Sequence, residues 1–123
     1  MKRVTRLLIL AFVTGIAGTG LVMIRAGHSG QAPAQVIQLE MKEFTFTPKA
    51  LTAKPGSVRI LARNKGMVEH SLTVPALKNA TTKNLLAGKS ASLDLTVRAG
   101  TYQIVCDVPG HKEAGMVATL TVR

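Results

Sequence analysis

The stretch Thr101-Tyr-Gln-Ile-Val-Cys106-Asp-Val-Pro-Gly-His111-Lys-Glu-Ala-Gly-Met116-Val-Ala-Thr-Leu-Thr-Val122 decides how this chain is read. Its two ends alternate with period two. Tyr102, Ile104 and Cys106 share one face of the first run, and Met116, Ala118, Leu120 and Val122 share one face of the last. Successive side chains of a strand point to opposite faces, so each run is a strand with an apolar side. Pro109, Gly110 and Gly115 make the residues between them a loop. The segment therefore delivers a thiol, an imidazole and a thioether from one strand–loop–strand unit, with four residues between Cys106 and His111 and four between His111 and Met116.

A third segment, Val68-Glu-His70-Ser-Leu-Thr-Val74, has the same grammar. Val68, His70, Leu72 and Val74 alternate onto one face, while Ser71 and Thr73 fall on the other and receive no chemical role. The remaining runs repeat the pattern. Phe44 and Phe46 share a face, as do Val58, Ile60 and Ala62, and again Leu93, Leu95 and Val97. Turn signals separate them at Lys54-Pro-Gly56, Asn64-Lys-Gly66, Ala87-Gly-Lys89 and Arg98-Ala-Gly100. Residues 75–83 form a longer polar connection, and no stretch carries a helical apolar period. Seven or eight short strands with turns at this spacing predict an all-β, antiparallel sandwich.

Composition supports this. A chain of 123 residues with no Trp, one Tyr and three Phe must build its core from Val, Ile, Leu and Thr, which favour strands. It has room for one domain. Residues 35–123 hold twelve Lys and Arg against six Asp and Glu, a net charge of +6 that favours anionic partners, including protein partners with acidic docking surfaces. The basic residues are scattered and aromatics are few, so nucleic acid is excluded as a partner.

The first 34 residues differ from the rest. Met1-Lys-Arg-Val-Thr-Arg6 is basic, and residues 7–24 carry no charge. At about 1.5 Å per residue such a helix is roughly 27 Å long, close to the ~30 Å hydrocarbon core of a bilayer. Ala32-Pro-Ala34 resembles a signal-peptide cleavage site. Two readings stay open: a membrane anchor retained on the chain, or a signal peptide removed from it. Either is followed by a short linker containing His28, and either places the domain of residues 35–123 outside the cytoplasm, in the periplasm or on the outer face of the membrane.

Cys106 is the one cysteine of a chain bound for an oxidising space, so it cannot close an internal disulfide. Taken singly, a buried Cys or Met is a core residue and a His is a surface group. Here the sole Cys and both domain histidines fall into one set with Met116. Two imidazoles, a thiolate and a thioether suit a copper ion that cycles between Cu(I) and Cu(II), because the soft donors favour Cu(I) and imidazole serves both states. Structural zinc takes four N or thiolate donors and is the poorer fit. Met67 is a rival axial donor, but it precedes the His70 strand in a turn, whereas period two turns Met116 inward. Tyr102 reads as a packing or corner residue.

These residues resemble the cupredoxins. The likeness rests on Phe44-Thr-Phe-Thr-Pro48, the Pro55-Gly56 turn, Asn64-Lys-Gly66 before His70, Gly100-Thr-Tyr102 and the loop from Cys106 to Met116. The Cys-x4-His-x4-Met spacing is similar to auracyanins and rusticyanin, and longer between Cys and His than in plastocyanin. The resemblance implies a Greek-key β-sandwich holding one copper near one end. It implies ligation by His70 and His111 through imidazole, Cys106 through thiolate and Met116 axially. Ser71 departs from the Asn that follows the first His in many members.

The function expected is single-electron transfer between a protein donor and acceptor outside the cytoplasm. The alternative is an extracytoplasmic copper carrier or copper-resistance protein, which would be expected to offer additional Met or His ligands. An enzyme is not expected: copper oxidases and nitrite reductases need more copper sites, and a binuclear centre needs a second Cys.

Overall fold

The computed structural model of the protein describes residues 34–123; the expected anchor or signal segment lies outside the described residues. Nine strands occur in chain order: β1 (Gln35–Lys42), β2 (Thr45–Thr47), β3 (Ala50–Ala53), β4 (Gly56–Asn64), β5 (Thr73–Val74), β6 (Ala80–Thr81), β7 (Ser90–Val97), β8 (Gly100–Val105) and β9 (Val117–Val122). One sheet has the order β2-β1-β4-β7 and the other β3-β9-β8-β5-β6. No helix occurs among the described residues. The all-β sandwich read from the sequence is therefore present.

The expectation of a purely antiparallel sandwich is corrected. β1 pairs parallel with β4, Ile37 opposite Ile60, and β3 pairs parallel with β9, Leu51 opposite Leu120. The cause is topological. β1 and β4 lie side by side, while the intervening chain turns back as β2 and then crosses to the other sheet as β3. β3 thereby becomes the partner of the last strand.

Alternation places the core where the pattern put it. Val58, Ile60 and Ala62 of β4 lie beside Leu93, Leu95 and Val97 of the neighbouring β7 on the inner side of one sheet, and Ala118, Leu120 and Val122 of β9 join the same core from the other sheet. Leu39, Met41 and Phe46 complete the layer from β1 and β2. Each large apolar side chain buried this way contributes about 1.5–3 kcal/mol. Tyr102 closes the β7–β8 corner: its hydroxyl donates to the Arg98 carbonyl at 2.9 Å and accepts the Arg98 amide at 3.2 Å.

Two local expectations are corrected. Phe46 is fully buried, but Phe44 is 45% exposed and lies in the turn before β2, so the two rings do not share a core face. Residues 70–74 are all buried without alternation, and only Thr73–Val74 is strand. Val68 is exposed rather than inward. Tertiary packing encloses this segment from both sides: His70 forms an isolated bridge to Leu85, and Thr73 pairs with both Thr81 and Val105.

Candidate metal centre

The four candidate donors come from the ends of strands and the loops that join them. His70 is fixed by a two-way backbone bridge, its amide donating to the Leu85 carbonyl at 3.1 Å and the Leu85 amide donating back at 2.7 Å. Cys106 directly follows β8, and its amide donates to the Met116 carbonyl at 3.2 Å. The loop between them folds on itself: the His111 amide reaches Val108 O at 3.1 Å and the Met116 amide reaches His111 O at 3.0 Å. Gly110 and Gly115 stand at φ of +84° and +95°, the left-handed region that L side chains rarely adopt. The Pro and Gly residues that marked this loop in the sequence thus shape the backbone that carries His111.

His70, Cys106 and His111 converge, with one donor atom from each lying within 4.8 Å of the others. The two histidines present Nδ1 to each other at 3.2 Å, and His111 Nδ1 lies 3.4 Å from Cys106 Sγ. All three residues are buried, His70 and Cys106 completely. Met116 is fully buried beside them, tied to Cys106 and His111 through its backbone, whereas Met67 is 87% exposed. Burial, reinforced by the neighbouring His111, pushes the His70 pKa below the ordinary histidine value. The ring is then neutral at physiological pH and keeps a lone pair for a metal. The donor set is two imidazole nitrogens and one sulfur gathered among buried residues, a combination that suits copper.

Several supporting residues were not read from the sequence as part of the site. Ser71, given no chemistry there, donates its amide to Cys106 Sγ at 3.4 Å. Its hydroxyl accepts the Asp107 amide at 3.0 Å and donates to the Asp107 carboxylate, which also accepts from Thr73 Oγ1 at 3.0 Å. Ser71 and Thr73 therefore stitch the His70 segment to the residue after Cys106. Buried Asn64, legible only as a turn signal, donates to Val68 O at 2.7 Å and Leu85 O at 2.8 Å and accepts the Gly66 amide at 2.8 Å. Glu43 Oε1 accepts the Met67 amide and, at 3.0 Å, the Val68 amide, and lies 3.6 Å from His70 Nε2. Those backbone donors, Val68 first, hold the Glu43 carboxyl down at about 2. Phe44 sets its ring edge-on to His111, with centroids 4.9 Å apart. Nothing in the sequence marks Glu43 and Phe44, because their contacts with the histidines and with Gly66 are long-range.

The sandwich and its gathered donors are those of a copper-binding domain. The chain belongs to the family described as the cupredoxin-like domain, which matches residues 8–122. It is 27% identical over 119 residues to the copper-resistant cuproprotein CopI of Rubrivivax gelatinosus, covering 80% of this chain and 72% of that protein. Among solved structures, it superposes on auracyanin from Roseiflexus castenholzii with a TM-score of 0.67 at 21% identity, covering 73% of this chain and 98% of that one. Auracyanin B gives a TM-score of 0.67 at 26% identity, covering 74% and 90%. Family and donor set together make this a protein that binds one copper ion.

Proposed function

We propose that the protein is a one-electron carrier outside the cytoplasm, with its copper held by His70, Cys106, His111 and Met116. The observation that carries this reading is the convergence of two imidazole nitrogens and one sulfur, all buried, with Met116 packed alongside. Bound copper supplies the one-electron couple. The chain's residues do the rest. The bridge at His70 and the hydrogen bonds around Ser71 and Asn64 hold the donors in one arrangement, which favours transfer without reorganisation. Burial of His70, Cys106 and Met116 limits the access of solvent to the donors.

His111 is the most accessible donor of the four, 9% exposed where the others are at 0%. Phe44, Met67 and Val68 are exposed around it or along the Glu43 turn, and Leu86 is exposed next to the Leu85 that bridges His70. This apolar end is the docking face of the proposal, because a partner can approach it without desolvating charge. The domain charge of +6 steers acidic redox partners toward it.

A second reading, a copper carrier in metal resistance, is favoured by the likeness to a copper-resistant cuproprotein. The two separate in one experiment. The copper-loaded chain is cycled through reduction and reoxidation in stopped flow, with an anionic redox reagent and a Cu(I) chelator present. An electron carrier keeps its copper through many cycles, and its electron transfer slows as salt shortens the screening length from ~10 Å at 0.1 M to ~3 Å at 1 M. Release of the ion to the chelator on first reduction would establish the carrier reading instead.

A further inference from the structure

His70 presents Nδ1 toward His111, which leaves Nε2 on the other side of the ring, fully buried and without a hydrogen-bond partner. A buried orphan of this kind is uncommon in folded proteins and calls for a partner. The acceptor facing it is Glu43, whose Oε1 lies 3.6 Å away, just beyond hydrogen-bond length. The carboxylate is itself held in place, since Oε1 accepts the amides of Met67 and Val68. A carboxylate offers about four acceptor sites over its two oxygens; the two amides occupy Oε1, which leaves Oε2 free to take an imidazole N–H after a small rotation of the group. The chain also keeps room for it: a Cβ on Gly66 would overlap the Glu43 carboxylate.

We propose that Glu43 is the positioning residue of the metal centre: its carboxylate takes the Nε2–H of His70, fixing the tautomer that leaves Nδ1 free for copper and placing a negative charge behind that ligand. The inference rests on the copper reading above. An imidazole that donates its far N–H to a carboxylate is oriented and made more basic toward a metal. Negative charge beside the ion favours Cu(II) over Cu(I), so Glu43 lowers the reduction potential.

The test uses the full chain and three variants. Glu43→Gln keeps an oxygen for the Met67 and Val68 amides and for His70 while removing the charge. It should retain one copper and shift the Cu(I):Cu(II) preference toward Cu(I) about tenfold, an increase in potential of about 59 mV for a one-electron couple. Glu43→Ala removes the acceptor altogether. Gly66→Ala leaves the carboxylate in the chain but displaces it, since the atoms its Cβ meets are the far end of the Glu43 side chain. In the copper-free wild type at neutral pH, ¹⁵N NMR should find His70 protonated at Nε2. Glu43→Gln should keep that tautomer, and both Glu43→Ala and Gly66→Ala should lose the preference. A wild-type His70 protonated at Nδ1, or an unchanged potential in Glu43→Gln, overturns the proposal. Failure of the wild type to take up copper would defeat the copper reading, while the tautomer measurement would still decide the role of Glu43.

Discussion

Ser71 joins two donors that are 36 residues apart in sequence. Its amide points at Cys106 Sγ, and its hydroxyl exchanges hydrogen bonds with the backbone and carboxylate of Asp107. Ser71→Ala removes the hydroxyl and leaves the Asp107 amide without that acceptor, while the amide–sulfur contact stays. Losing a hydrogen bond of this part-buried kind costs about 0.5–1.5 kcal/mol, so urea unfolding of the copper-free chain should give an unfolding free energy lower by about that amount, with the midpoint moved down by that energy divided by the m-value. Copper should still bind one per chain. An unchanged midpoint would show that Asp107 finds water in its place. At this scale the sequence was legible for the donors and not for their supports. Cys106, His111 and Met116 stand at regular spacing in one loop, and a sole cysteine draws notice by itself. Ser71 gave no such signal, because its partners Cys106 and Asp107 follow a strand distant in sequence and its alternation predicts the wrong face.

At the scale of elements, Asn64 organises the passage from β4 to His70. Its fully buried amide joins Val68, Leu85 and Gly66, while its backbone pairs with Lys89 at 2.8 Å and Gly88 at 2.9 Å. Five contacts converge on one residue because the chain leaves the sheet there and each freed backbone group needs a partner. Asn64→Ala leaves the Val68 carbonyl and the Gly66 amide without that partner, while the Leu85 carbonyl keeps the His70 amide; the expected loss is about 1–3 kcal/mol of stability, with a fall in copper affinity as the His70 bridge loosens. Chemical denaturation and copper titration check it together; retention of both would place the loop's order elsewhere. The strands themselves were readable from period two, as Ile60, Leu95 and Leu120 show. The parallel pairings of β1 with β4 and β3 with β9 were not, since alternation says which face a residue takes and not which strand lies beside it. Phe44 marks the same boundary. It fits the alternation of Phe46, yet the turn before β2 sends it out to His111.

Across the whole molecule, the two sheets act as a rigid frame whose one end carries every candidate donor. The core is supplied by the strands, and the donors sit where strands stop: Cys106 after β8, Met116 before β9, His70 before β5 and His111 in the connecting loop. Three of the four were legible in outline, because Cys106 closes one alternating apolar run, Met116 opens another and His111 lies in the Gly- and Pro-rich loop between them, whereas the alternation read around His70 is absent from its segment. The central claim is that Cys106 and the two histidines hold copper through a thiolate and two imidazoles. Its most direct measurement is the visible spectrum of the purified chain titrated with Cu(II), beside Cys106→Ser. The account predicts an intense blue band that saturates at one copper per chain in the wild type, because the thiolate donates charge to the bound ion, and no such band in Cys106→Ser. A colourless wild type with copper tightly bound, or a variant with the same blue band, would contradict it.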